Sequence, residues 1–221
     1  FIIQSAINLV ETGRMGIQTA PGKIIGSPEI FSTGWPLAYP VGIVMKFFGR
    51  GLMQARAPMV LFLMLLALFF YLLARKIWGF KTAIFSSLLL ASFAPLYGNG
   101  KNVLGEVPGL FFLILFLFLI NKLEKNNFKA NFYHYALAGL AAGLCVSTKS
   151  LFLLLLPAIL LTIFISRKKV ILKLKPILIS LLFFFLPVAL WLKTQFSGID
   201  SISGILSTYS NPYAFDNIGA V

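Results

Sequence analysis

The feature that most constrains this chain is an alternation of long apolar runs with short basic breaks. Apolar runs occupy about 57–74, 82–97, 105–120, 136–148, 150–165 and 176–192. A helix needs about 20 apolar residues to cross a hydrocarbon core of roughly 30 Å. Several runs are shorter, which a bundle tolerates when a helix packs inside it or the bilayer thins locally. Overall, 59% of the residues are hydrophobic and 11% charged, against about 25% charged in a soluble domain. A disordered chain, a nucleic-acid arm and a secreted disulfide scaffold are excluded. The formal net charge is +13. In so apolar a chain this excess is first a topology signal, with no nucleic-acid partner implied.

The breaks carry that signal. The first holds Arg75, Lys76 and Lys81, the second Lys122, Lys125 and Lys129, and the third Arg167, Lys168, Lys169, Lys173 and Lys175. Loops dense in Lys and Arg stay in the cytoplasm. Two crossings must then separate each break from the next, with turns expected near Tyr97–Gly105 and Thr148–Ser150. A single tilted helix over 136–165, with Lys149 at mid-membrane, would put consecutive basic breaks on opposite faces. The expected fold class is all-α, a polytopic transmembrane helical bundle with an amphipathic extracytoplasmic first loop. The expected organisation is a loop with surface helices over 1–56, a six-helix transmembrane module over 57–192, and the start of a second extracytoplasmic loop over 193–221.

Within the first segment, Ile2, Ile3, Ala6, Ile7, Leu9 and Val10 fall near a helical period, with Gln4, Ser5, Asn8 and Glu11 between them. They predict a short amphipathic helix stopped at Gly13. Residues 13–40 read as an ordered loop rich in turn formers, and Pro40 to Phe48 as a second helix. The first residue is Phe1, without a signal-peptide pattern after it, so a preceding segment is expected. The lone cysteine, Cys145, reads as a buried, inert thiol.

Charged residues at the ends of apolar runs are the candidates for chemistry. Glu106 opens the third run within Tyr97-Gly-Asn-Gly-Lys-Asn-Val-Leu-Gly-Glu-Val-Pro-Gly109. A carboxylate at a membrane boundary is costly unless paired, solvated or beside a cavity. It also suits a helix N-terminus, so capping and catalysis are both open, and both can hold. Lys149, in Val146-Ser-Thr-Lys-Ser150, sits at a hairpin tip and either snorkels or faces a lipid phosphate. Lys101 and Arg56 share its expected side, against the positive-inside trend, as an anionic ligand there would explain. Glu124, Asp200, Asp216 and Glu29 read as loop carboxylates. His134, Trp35, Trp78 and Trp191 read as interfacial anchors. No nucleotide-binding or hydrolase motif is present, and no cofactor or metal is implied.

Four stretches together resemble a known family. They are Phe31-Ser-Thr-Gly-Trp-Pro-Leu-Ala-Tyr-Pro40 followed by Gln54-Ala-Arg56, then Asn102-Val-Leu-Gly-Glu-Val-Pro-Gly109, then Ala138-Gly-Leu-Ala-Ala-Gly-Leu-Cys-Val-Ser-Thr-Lys149. Their order is similar to that in the GT-C superfamily of polytopic glycosyltransferases, in the branch of protein O-mannosyltransferases and aminoarabinose transferases. The resemblance implies transfer of a sugar from a polyprenyl-phosphate donor to a protein, lipid or glycan acceptor outside the cytoplasm. It implies a bacterial or archaeal cell membrane as the location. Glu106 corresponds by position to the acid of the second outer loop, Lys149 to the basic residue of the later hairpin, and Arg56 to the arginine opening the second membrane helix. Lys149, Lys101 and Arg56 would hold the donor phosphate. The family's first-loop acid has no counterpart ahead of Glu11 and is expected before Phe1. The rivals are a transporter or lipid flippase, which would place ionisable or broken-helix sites near mid-membrane around Pro157 or Pro187, and a non-catalytic membrane scaffold.

Overall fold

The computed structural model describes residues 2–20, 23–25, 33–125, 131–155, 157 and 174–195. The chain order is α1 (Ile2–Thr12), β1 (Ile17–Ala20), β2 (Lys23–Ile25), α2 (Trp35–Phe48), α3 (Leu52–Trp78), α4 (Phe80–Ser92), α5 (Ala94–Lys101), α6 (Glu106–Lys125) and α7 (Phe132–Thr148). A 3₁₀ turn at Ser150–Leu154 and a helix, α8 (Leu174–Gln195), follow among the described residues. Among the described residues the fold is helical apart from the antiparallel β1–β2 hairpin, in which Ile17 pairs with Ile25.

Glycines in the left-handed region stop the helices where continuation would need an unfavourable φ for other residues. Gly13 (φ +76°) ends α1, Gly49 (φ +91°) ends α2, and Gly79 (φ +89°) alone separates α3 from α4. Arg75 and Lys76 occupy the last turn of α3, where cations offset the negative end of the helix dipole. Among the described residues three helices are long and apolar enough to cross a membrane: α3, α6 over Glu106–Glu124 and α8 over Pro176–Gln195. Large apolar side chains such as Met53, Phe85, Leu89 and Leu182 stand exposed on α3, α4 and α8. A surface of this kind belongs against lipid.

The run expected over 82–97 is divided. α4 has 13 residues, about 20 Å of helix, and the chain bends at Phe93 before α5. The cause is Pro95, which has no N–H to return to the carbonyl of Ala91. The Tyr97 hydroxyl donates to that carbonyl instead. Helix α3 exceeds its expected run at both ends, starting at Leu52 and closing at Trp78. Helix α7 stops at Thr148, and Lys149 is extended (φ −153°, ψ 131°). This excludes a continuous helix through Lys149. Beyond Leu155 and Pro157, the run expected over 150–165 lies outside the described residues, as do Glu29, Asp200 and Asp216.

Side-chain contacts fix the helix directions. Phe62 of α3 packs on Phe111 and Phe112 at 5.9 and 5.8 Å, and Phe69 on Phe118 at 5.7 Å. The two sets advance together, so α3 and α6 run parallel. Leu123 near the end of α6 clusters with Tyr135 and Ala138 near the start of α7, so these helices are antiparallel. α7 and α8 run parallel and touch backbone to backbone. A Cβ at Gly139 would lie 2.1 Å from the Ser180 carbonyl oxygen, and one at Gly143 2.4 Å from that of Phe184. Small residues four apart permit this approach in membranes, where packing and not water exclusion joins helices.

One end of the bundle therefore gathers the start of α3, the turn before α6, and the ends of α7 and α8. The helices α1 and α2 close over it. Ala6 and Leu9 bury against Leu37, Ala38 and Val41, with Gly42 admitting the Ala6 carbonyl, 2.3 Å from where its Cβ would be. The sequence pattern put Ser5 and Asn8 on the polar side of α1, yet both are buried. Asn8 is accommodated because its Nδ2 donates to the Gly16 carbonyl at 2.7 Å. The Met15 N–H donates to the Thr194 carbonyl at 3.1 Å, tying this cap to α8. Arg75, Lys76 and Lys122 stand at the opposite end.

Candidate functional site

The site is built where the N-terminus of α6 meets the C-terminus of α7. Before α6, the chain turns through Asn102–Gly105 with Val103 at φ +55°. A β-branched residue in the left-handed region costs roughly 1–2 kcal/mol. The turn is held because Val103 is buried. It brings Gly105 so close to α7 that a Cβ would lie 2.9 Å from the Thr148 carbonyl oxygen. The Gly105 carbonyl accepts the Gly109 N–H at 2.9 Å, starting the helix. A turn later, the Gly109 carbonyl accepts from the Cys145 thiol at 3.3 Å. The lone cysteine is a packing element between α6 and α7, as its apolar neighbours suggested.

Glu106 lies in the first turn of α6, and Lys149 directly follows the last residue of α7. Each charge opposes the partial charge of its own helix end, which is favourable. The antiparallel packing brings the two ends together. Lys149 Nζ donates to Glu106 Oε1 in an ion pair. The side chains are 17% and 26% exposed, respectively, so solvent screens the pair only partly. Glu106 Oε2 is buried and has no hydrogen-bond partner. A buried carboxylate oxygen without a donor is costly, and a ligand hydroxyl or amide could satisfy it.

Arg56 and Lys101 form a second contact. Arg56 Nε donates to the Lys101 carbonyl at 3.1 Å, joining the first turns of α3 to the end of α5. The four residues singled out from the sequence thus lie at one end of the bundle as two pairs, Glu106–Lys149 and Arg56–Lys101. Among the described residues no hydrogen bond or ion pair links one pair to the other. Glu106 pairs with Lys149 and not with Lys101, because the Val103 turn directs α6 toward α7. A small apolar cavity of about 10 Å³ lies between Leu113, Ala142, Cys145 and Phe184. Neither Glu106 nor Lys149 lines it. Among the described residues no three His, Cys, Asp or Glu side chains group as metal ligands would.

Two residues of the site had no assigned role in the sequence. Thr33 forms an antiparallel bridge with Lys149, and its Oγ1 accepts the Gly105 N–H at 3.2 Å. Gly34 N–H donates to the Thr148 carbonyl at 2.8 Å. A Cβ on Gly34 would lie 1.9 Å from the Ser147 carbonyl oxygen. Next in the chain, Trp35 Nε1 donates to the Pro187 carbonyl at 3.1 Å. The first loop is therefore laced to α6, α7 and α8 at the ion pair.

The ion pair and the helices α6 and α7 that carry it lie in a region where a family can be recognised. Residues 36–191 match the family model described as dolichyl-phosphate-mannose-protein mannosyltransferase. The chain belongs to this family. It is accordingly an integral membrane protein of the GT-C glycosyltransferase type, as the sequence motifs indicated. The matched region contains Arg56, Lys101, Glu106 and Lys149. No curated protein and no solved structure matches the chain.

Proposed function

We propose that the protein transfers a sugar from a polyprenyl-phosphate donor to a protein, lipid or glycan acceptor at the end of the bundle formed by the first loop, α6 and α7. That end faces away from the cytoplasm, since the basic ends at Arg75–Lys81 and Lys122–Lys125 are retained inside. The observation carrying the proposal is the partly buried Glu106–Lys149 pair with its spare carboxylate oxygen. The family description makes mannose the first sugar to test.

The chemistry is displacement at the anomeric carbon. The acceptor oxygen forms a bond to C1 as the bond from C1 to the phosphate oxygen breaks. The acceptor proton passes to a carboxylate, and polyprenyl phosphate leaves with the bonding electrons. Charge grows on the leaving phosphate, so a cation held there lowers the barrier. Lys149 fits this task. An ammonium has three donors, and Glu106 occupies one. Arg56 retains the N–H groups of its guanidinium beyond the Nε bond to Lys101. Glu106 Oε2 would receive the acceptor hydroxyl and orient it or take its proton.

Lys149→Met in the full-length protein tests the donor contact. A charge-assisted hydrogen bond contributes about 1.5–3 kcal/mol, so the donor KM should rise about tenfold or more, with the protein still inserted in the membrane. An unchanged donor requirement would reduce Lys149 to a structural partner of Glu106.

A further inference from the structure

We propose that Thr33 is a positioning residue of the site: it holds Glu106 and Lys149 in register by clasping the start of α6 to the end of α7. The role given to the pair rests on the function proposed above; the clasp itself rests on geometry. Thr33 touches both halves of the site through different groups. Its backbone bridges Lys149, and its hydroxyl oxygen accepts the Gly105 N–H, one residue before Glu106. That N–H belongs to the residue immediately before α6, where no intrahelical acceptor exists. Thr33 is 1% exposed, so water does not readily replace the hydroxyl. The neighbouring Gly34–Thr148 bond fixes the segment's depth.

The geometry assigns a job to each part of the threonine. The hydroxyl sets the height of Gly105 along α7 and with it the Glu106 carboxylate. The extended backbone sets Lys149 one residue beyond the helix end, free of α7's own hydrogen bonding. Without the hydroxyl, the buried Gly105 N–H is orphaned, and the α6 turn must shift to reach water or another acceptor. The carboxylate then moves away from the ammonium without any change in either charged residue.

A carbodiimide that enters membranes joins a carboxylate to an amine in contact with it, so the Glu106–Lys149 amide reads the register directly. The experiment uses the full-length protein, with melting temperature as the folding check and Glu106→Gln as the cross-linking blank. Wild type and Thr33→Ser should give the cross-linked peptide. Thr33→Val should give about fivefold less or lower, the scale expected of an orphaned buried donor. Thr33→Ala, which leaves room for a water, serves if the valine variant does not fold and should give an intermediate yield. Sugar transfer supplies the second reading: Thr33→Val should lower kcat alone and have no further effect in a Glu106→Gln background.

Wild-type cross-linking in both Thr33→Val and Thr33→Ala would overturn the proposal. So would losses of transfer that multiply between Thr33→Val and Glu106→Gln, since Thr33 would then act apart from the pair. Wild-type transfer by Glu106→Gln, with cross-linking still dependent on Thr33, would remove the function proposed for the pair and leave the clasp standing.

Discussion

Gly34→Ala is the smallest change that should detach the first loop from the bundle. The new Cβ would sit 1.9 Å from the Ser147 carbonyl oxygen and 2.7 Å from Cδ1 of Trp191. The first atom is backbone, inside a helix whose neighbouring Gly139 and Gly143 already touch α8, so α7 cannot retreat. The second belongs to a buried indole whose Nε1 donates to Gln195 at 2.6 Å. The 33–35 segment must therefore lift. Lifting breaks the 2.8 Å bond from Gly34 to Thr148, worth about 0.5–1.5 kcal/mol. Forcing a methyl into a filled site adds about 1–3 kcal/mol. Docking of this loop should weaken by about 2–4 kcal/mol in total, while the helices below persist. Hydrogen exchange on the full-length protein reads this directly. Amides at Gly34 and Gly105 should lose protection by a factor on the order of 30 to 1,000, with those in the middle of α6 unchanged. Wild-type protection at Gly34 in the alanine variant would refute the close approach and the loop docking deduced from it.

Further outcomes are expected. Gly143→Leu should separate α7 from α8, since a Cβ there meets the Phe184 carbonyl oxygen at 2.4 Å and Pro187 Cγ at 2.5 Å; loss of folded protein in detergent reads it, and wild-type melting would contradict it. Cys145→Ser should insert and fold with a loss of about 1 kcal/mol or less, because a hydroxyl can replace the bond to the Gly109 carbonyl; thermal melting checks this. In that background, cysteines at Arg14 and Glu124, both exposed, should label from opposite sides of the membrane, Arg14 from outside; labelling of Glu124 from outside would invert the proposed topology. Arg56→Gln should raise the donor KM severalfold, short of the effect at Lys149, because the arginine is more open to solvent and such contacts contribute about 1 kcal/mol or less; an unchanged KM would confine Arg56 to joining α3 and α5.

Much of this arrangement was legible because topology in a membrane protein follows from composition. The basic breaks implied that Arg56, Lys101, Glu106 and Lys149 share one side, and the helix directions set by the Phe62–Phe111, Leu123–Tyr135 and Gly139–Ser180 contacts agree. The end of α1 at Gly13 was visible because glycine takes a positive φ without strain. Other features depend on tertiary contacts that a local pattern does not encode. Ser5 and Asn8 look like a solvent face by polarity, but a small hydroxyl and an amide with a carbonyl partner can be buried. The bend at Phe93 had a signal in Pro95, hidden by the surrounding hydrophobicity. The Glu106–Lys149 pair joins residues 43 apart in sequence, and its only local cue was that each lies at a helix end of complementary sign. Thr33 carried no cue of its own, since a loop threonine becomes informative only once its hydroxyl is seen on the Gly105 N–H.

The central claim is that the Glu106 carboxylate acts in sugar transfer and does more than cap α6 or neutralise Lys149. Glu106→Gln keeps the shape and an oxygen for Lys149 but removes the negative charge. The measurement is the turnover of polyprenyl-phosphate mannose by the full-length protein in native membranes, normalised to folded enzyme. A carboxylate that orients the acceptor or takes its proton should show a loss of about a hundredfold or more in kcat, with a melting temperature close to wild type. Near-wild-type turnover for Glu106→Gln, beside an active wild-type control, would contradict the account and leave the ion pair a structural bond between α6 and α7.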